Sequence, residues 1–390
     1  MKPIYLDCHA TTPVDERVFA AMQPYFCDRF GNPNSTHLYG WETKSAVKLA
    51  RKTIADAIGA QPEEIIFTSG ATEANNLAIK GIAEAYMSQG KHIITVATEH
   101  RAVLDPCRYL ESLGFNVTYL PVKGDGLIDL AELEQAITKE TILVSVMAAN
   151  NEIGVLQPLE QIGAICHQKK VLFHSDAAQA IAKIPLDVQK MHLDLMSLTA
   201  HKVYGPKGIG ALYIRRQPKV RIAAQLQGGG QERGIRSGTL YPPQIVGFAK
   251  AVELGMMEMI AESQRLVELR AHLWSHLQTL PGVYLNGHPT LRLPGNLNLS
   301  FSGIDGSALL LELQPLVALS SGSACSGEST APSHVLTALA REPKLARATL
   351  RFGIGRFNTQ AEIDEVAGSV KSCVSRLREA TLGRSSVNIT

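Results

Sequence analysis

Cysteine is scarce and scattered in this chain: six among 390 residues, with no Cys-x-x-Cys pair and no Cys/His group at zinc-site spacing. That argues against a disulfide-framed secreted module and against a structural zinc fold, and it points to reduced thiols in a cytoplasmic setting. Charge of one sign is equally lacking. With 38 Lys and Arg against 36 Asp and Glu the net charge is +2, and no basic run or arginine stripe offers a footprint for nucleic acid, which is not expected as a partner. No apolar run approaches the ~18 residues of a membrane span, and the N-terminal stretch lacks the apolar core of a signal peptide, so no membrane association is expected. Internal repeats and low-complexity blocks are missing too.

What is present is a chain longer than one hydrophobic core usually fills, so two domains are expected. Between residues 62 and 215 short β-rich runs alternate with segments of helical period, the pattern of an α/β layer with a mostly parallel sheet. Seven strands are expected, at Glu64–Phe67, His92–Ala97, Asn116–Pro121, Ile142–Ala148, Val171–Ser175, Leu193–Ser197 and Gly210–Ile214. The glycine-dense run Gln227–Thr239 breaks the period, and a long helix follows to about Gln278. The division expected is a large domain over 14–256, a smaller α+β domain from 1–13 and 257–382, and a polar tail over 383–390.

Polar groups gather just past the strand ends. Thr68-Ser-Gly-Ala-Thr-Glu73 opens a helix and reads either as a plain cap or as a phosphate cradle of free N–H groups, with Ala71 and Thr72 at its start. His100 follows the second strand, Asn151 the fourth, Asp176 with Gln179 the fifth, and Thr199, His201 and Lys202 the sixth. Asp176 is either a local cap or the carboxylate that holds a pyridinium nitrogen protonated; Lys202, set in a tight Gly/Pro turn, is either a solvated lysine or the amine of a Schiff base. An acid and then a lysine at two strand ends is what pyridoxal phosphate requires, with Gln179 able to bond its phenolic oxygen. Ligands of open α/β sheets bind at this edge. Arg351 suits a substrate carboxylate or an interdomain ion pair. Cys325 lies in a Ser/Gly-rich loop before Pro332 with no apolar period, the setting of an exposed and reactive thiol.

Together, Leu6–Thr12, Thr68–Glu73, Thr98–His100, Asn150–Gly154, Asp176–Gln179, His201-Lys202, Arg236–Thr239, Ser320–Cys325 and Arg351–Phe357 closely resemble the NifS/IscS-type cysteine desulfurases of the class-V aminotransferase family, in order over nearly the whole chain. The resemblance implies a PLP-dependent transferase of fold type I and a homodimer with its site at the subunit interface. It implies that Lys202 carries the cofactor, that Asp176 and Gln179 hold its ring, and that His100 stacks on it and moves protons. Ala71, Thr72, Thr199 and His201 would bind the phosphate, with Thr239 reaching it from the partner subunit. Asn151 would lie beside cofactor and substrate, Arg351 would take the substrate carboxylate, and Cys325 would attack the substrate sulfur. The implied reaction turns L-cysteine into L-alanine, leaving sulfur as a persulfide for an acceptor or iron–sulfur scaffold protein. No resident metal is expected, Cys325 being at most a transient cluster ligand. Thr199 replaces the commoner serine and keeps its hydroxyl.

Overall fold

The computed structural model describes residues 2–321 and 332–387. Seven strands form the large sheet, in the spatial order Ile65–Thr68, Gly210–Ile214, Leu195–Thr199, Leu172–Asp176, Thr141–Ser145, His92–Val96, Asn116–Leu120. Gly210–Ile214 runs antiparallel to both its neighbours and every other pairing is parallel. All seven expected strands are there, Gly210–Ile214 with the bounds expected and the other six displaced by up to three residues at one or both ends. The largest shift is at Thr141–Ser145, expected as far as Ala148: Val146, Met147 and Ala148 stay buried beyond the strand, and although the Val146 and Ala148 N–H groups still donate to His174 O and Asp176 O at 3.1 and 2.9 Å, the Met147 N–H turns to Glu99 Oε1 at 2.7 Å.

Both faces of the sheet are covered, and successive residues divide between them. Ile65 and Phe67 enter one core while Ile66 enters the other; Val144 and Leu143, Met196 and Leu195, Tyr213 and Leu212 split likewise. The helices Ala71–Tyr86 and Arg101–Ser112 close one face; Leu38–Asp56 and the first half of Pro242–Leu277 close the other. A third core lies around a four-stranded antiparallel sheet ordered Ser320–Ser321, Thr349–Gly353, Asn296–Phe301, Val283–Leu285. The unbroken helix Pro242–Leu277 gives Ile245, Phe248 and Val252 to the first core and Leu266, Leu269 and Leu273 to the third. The terminal helix Gln360–Val387 packs on that third core and runs into the segment expected as a polar tail.

The glycine-rich run after the large sheet is fastened by a buried ion pair. Arg51 Nη1 and Nη2 lie 2.7 and 2.5 Å from the two carboxylate oxygens of Glu232, which also accepts the Phe67 N–H at 2.7 Å. Removing one partner of such a pair leaves a buried charge uncompensated. Glu232→Ala is therefore expected to lower unfolding free energy by about 3–5 kcal/mol, read from urea denaturation, whereas exposed Lys52–Asp56 contributes little.

Candidate active site

The carboxyl ends of the parallel strands surround a cavity of about 580 Å³. Ala71, Thr72, His100, Asn151, Asp176, Gln179, Thr199, His201, Lys202 and Arg351 all line it, so ten residues singled out from sequence share one site. Thr239 does not line it and is exposed. Cys325 lies outside the described residues.

One wall is the start of the helix Ala71–Tyr86. Its N-cap is Gly70 at φ 153°, a conformation that side chains resist, and no side chain caps the helix. A Cβ on Gly210 would stand 2.7 Å from Gly70 Cα, so the two backbones come this close only because residue 210 has no side chain. The first-turn N–H groups thus stay available to an anion, beside the Thr72 and Thr199 hydroxyls.

Asp176 ends the strand Leu172–Asp176 and is held by two donors: Asn75 Nδ2 at 2.7 Å and the Ala178 N–H at 2.9 Å. The local cap is therefore real, and it fixes the carboxylate in the cavity wall. Gln179 is pinned from behind, its Nε2 donating to His9 O at 2.8 Å and its Oε1 facing His9 Nδ1 at 3.3 Å and Lys183 Nζ at 3.4 Å. Burial, then the charge of Lys202, pulls Lys183 down to about 8.

Lys202 sits in a turn clamped by Thr12. The Thr12 N–H and hydroxyl donate to His201 O at 2.9 and 3.0 Å, and Thr12 Oγ1 accepts the Tyr204 N–H at 2.8 Å. Val203 and Gly205 both donate their N–H to Ala200 O, closing the turn. His201, with Nδ1 3.1 Å from Thr11 Oγ1, is brought down to about 4 by burial and then by Lys202, so it is neutral at physiological pH. His100 caps the helix Arg101–Ser112: its Nδ1 accepts the Ala102 N–H at 3.0 Å, which leaves the neutral ring's proton on Nε2. Burial lowers its pKa, and Lys202 and His334 add to that while Asp176 opposes it.

Arg351, on the strand Thr349–Gly353, is 2% exposed. Its Nη2 lies 2.7 Å from Asp7 Oδ1 and its Nη1 donates to Asn151 O at 3.0 Å, while Nε has no partner among the described residues. Arg351 thus makes an ion pair with Asp7, inside the residues expected as the small domain rather than between domains, and it also lines the cavity. Asn150 shapes the turn that presents Asn151, its Oδ1 accepting from the N–H groups of Glu152 and Ile153 at 2.8 and 3.0 Å.

Sequence reasoning did not single out His9, Thr11, Lys207 and Gly208 as cavity residues, nor Asn75 as the partner of Asp176. Asn75 carried one signal: an amide on the buried face of a helix otherwise filled by Ala74, Ala78 and Ile79. Lys207 and Gly208 belong to the turn that carries Lys202, and His9 and Thr11 arrive from the far end of the chain.

A mostly parallel seven-stranded sheet whose strand ends bring an acid and a lysine into one cavity defines the fold type I enzymes that use pyridoxal phosphate. The chain belongs to the class-V aminotransferase family, whose model matches residues 4–366, and within it to the cysteine desulfurases. It is 54% identical over 381 residues to the cysteine desulfurase of Mus musculus, covering 97% of this chain and 83% of the mouse protein. The solved structure of a NifS-like protein superposes with a TM-score of 0.90 at 38% identity, over 96% of this chain and all of that one. A structure titled SspA in complex with cysteine superposes with a TM-score of 0.82 at 39% identity, over 91% of this chain and all of that one. Pyridoxal phosphate is the cofactor of the family.

Proposed function

We propose that this chain is a pyridoxal-phosphate-dependent cysteine desulfurase: it converts L-cysteine to L-alanine and passes the sulfur, held as a persulfide on Cys325, to an acceptor for iron–sulfur cluster or thio-cofactor assembly. The observation that carries this reading is the convergence of Asp176, Lys202 and Arg351 on one cavity, in a chain that matches cysteine desulfurases along 97% of its length.

The residues present fit the cofactor. The uncapped helix start, Thr72, Thr199 and His201 suit its phosphate, Asp176 its ring nitrogen, Gln179 its phenolic oxygen and Lys202 its aldehyde carbon. When bound, the group supplies an electron sink for the substrate α-carbon. Arg351 orients the substrate by its carboxylate: the residue lines the cavity, and Nη1 and Nη2 each carry a second N–H beyond those given to Asn151 and Asp7. His100 holds its mobile proton on Nε2 and is neutral at physiological pH, fitting a group that passes protons at the reacting carbon. Of the residues that border the segment carrying Cys325, Ser320 is in register with the cavity residue Arg351, and Ser333 Oγ donates to Glu152 Oε2, next to the cavity residue Asn151, at 2.5 Å. Incubation with L-cysteine should yield alanine together with a persulfide that peptide mapping places on Cys325. Sulfur release with no modified Cys325 would overturn the persulfide route.

We also propose a homodimer with Thr239 reaching the partner's phosphate site. Its support is an exposed aromatic surface formed by residues 19–41 with Tyr241, where Phe19, Phe30 and Trp41 are more than half exposed, Phe30 stacks on Tyr39 and Phe26 meets Tyr241. Trp41→Glu is expected to shift the protein from dimer to monomer in sedimentation velocity, and a wild-type monomer would count against the reading. The five described cysteines are all free, which suits a reducing compartment such as the cytoplasm. The division into 14–256, with 1–13 and 257–382 as the second domain, draws support from the core exchange along Pro242–Leu277, between Leu254 and Leu266.

A further inference from the structure

Outside the cavity, two helices bring together three side chains that the desulfurase reading does not use. His272 and His276 stand one turn apart on Pro242–Leu277, and residues four apart on a helix share a face. Asp364, in the second turn of Gln360–Val387, faces both. His272 Nε2 lies 2.6 Å from Asp364 Oδ1 and His276 Nε2 lies 3.7 Å from the same oxygen. The three potential ligand atoms are all within 4.8 Å of one another, and no other such trio occurs among the described residues.

We propose that His272, His276 and Asp364 form a surface site for one borderline divalent transition-metal ion, with Zn²⁺ as the type. Imidazole and carboxylate suit such ions, and three protein ligands leave a fourth position for water. Ligands ~2.0–2.1 Å from a tetrahedral zinc lie about 3.3 Å apart, and the observed separations of 2.6 and 3.7 Å fall on either side of that value. Small rotations of part-exposed side chains close the difference, since 31%, 40% and 51% of the three side chains are exposed. The same exposure lets the ion enter from solvent. Binding replaces the His272–Asp364 hydrogen bond with two metal bonds, and the ring proton moves from Nε2 to Nδ1 so that the Nε2 lone pair faces the ion. The ion would clamp together two helices whose inner faces, through Leu269, Leu273, Ile363 and Val366, already share one core. It would therefore stabilise the folded state without touching the cavity.

The test is titration of the holoenzyme with Zn²⁺ alone, by calorimetry and by thermal midpoint with and without the ion. Wild type should bind one equivalent more than His276→Ala, or bind that equivalent at least about tenfold more tightly, since even the loss of a supporting partner costs roughly 10–100-fold in metal affinity. Asp364→Asn should weaken the same equivalent, and the Zn²⁺-dependent rise in midpoint should disappear in His276→Ala. Any zinc held by thiols or in the cavity is common to all three proteins and cancels. Equal stoichiometry and affinity in wild type and His276→Ala would overturn the site, whatever the outcome of the desulfurase assays.

Discussion

Cys325→Ser is expected to cut alanine formation from L-cysteine by at least about a thousandfold while the bound cofactor keeps its colour. A hydroxyl cannot take and hold the substrate's sulfur as a thiolate does, and even a small thiolate fraction at neutral pH is a strong nucleophile. None of the other five cysteines stands ready to replace it. Burial pushes the thiols of Cys8, Cys107 and Cys166 up to about 12, Cys373 is buried too, and exposed Cys27 does not line the cavity. Alanine and sulfide are the quantities to follow, with the absorption spectrum as the control for an intact cofactor site. Parental turnover in the variant would sink the persulfide route and favour a lyase of the selenocysteine-lyase kind.

Lys202→Ala should be as damaging, at about a thousandfold or more in turnover, but with a different signature. The wild-type protein, reduced with borohydride, should yield a labelled peptide containing Lys202, and the variant should yield none and lose its cofactor on dialysis. Lys202→Arg separates chemistry from charge: arginine keeps the positive charge but stays protonated and cannot attack an aldehyde, so it should fail as well. The backbone of the turn is held by Thr12, Ala200 and Gly205, so both variants should retain the parental circular dichroism. A labelled lysine elsewhere in the chain would move the covalent link and overturn the assignment.

The large sheet was legible because its strands are buried on both faces and therefore read as short, nearly continuous apolar runs between glycine- and polar-rich breaks. Ends were less so. Val146 to Ala148 are as apolar as a strand yet lie beyond it, because Val146 and Ala148 still enter the core while Met147 lines the cavity. The chemistry was legible wherever it stands just past a strand, as with His100, Asn151, Asp176 and Lys202. It was illegible where the group arrives from a distance. His9 and Asp7 reach Gln179 and Arg351 across 170 and 344 residues, and no local period reports such a contact. Arg351 shows the limit from the other side: a substrate grip and an ion pair could not be separated in one dimension, and the fold gives this arginine both a partner in Asp7 and a place on the cavity wall.

The 36-residue helix Pro242–Leu277 spans about 54 Å at 1.5 Å per residue. Since one uninterrupted rod belongs to two cores, neither half of this chain is a transferable cassette. Evolution can tinker with the surface loops around each half, yet any crossover inside the rod has to conserve its length in whole turns, or one core will face solvent while the other stays packed.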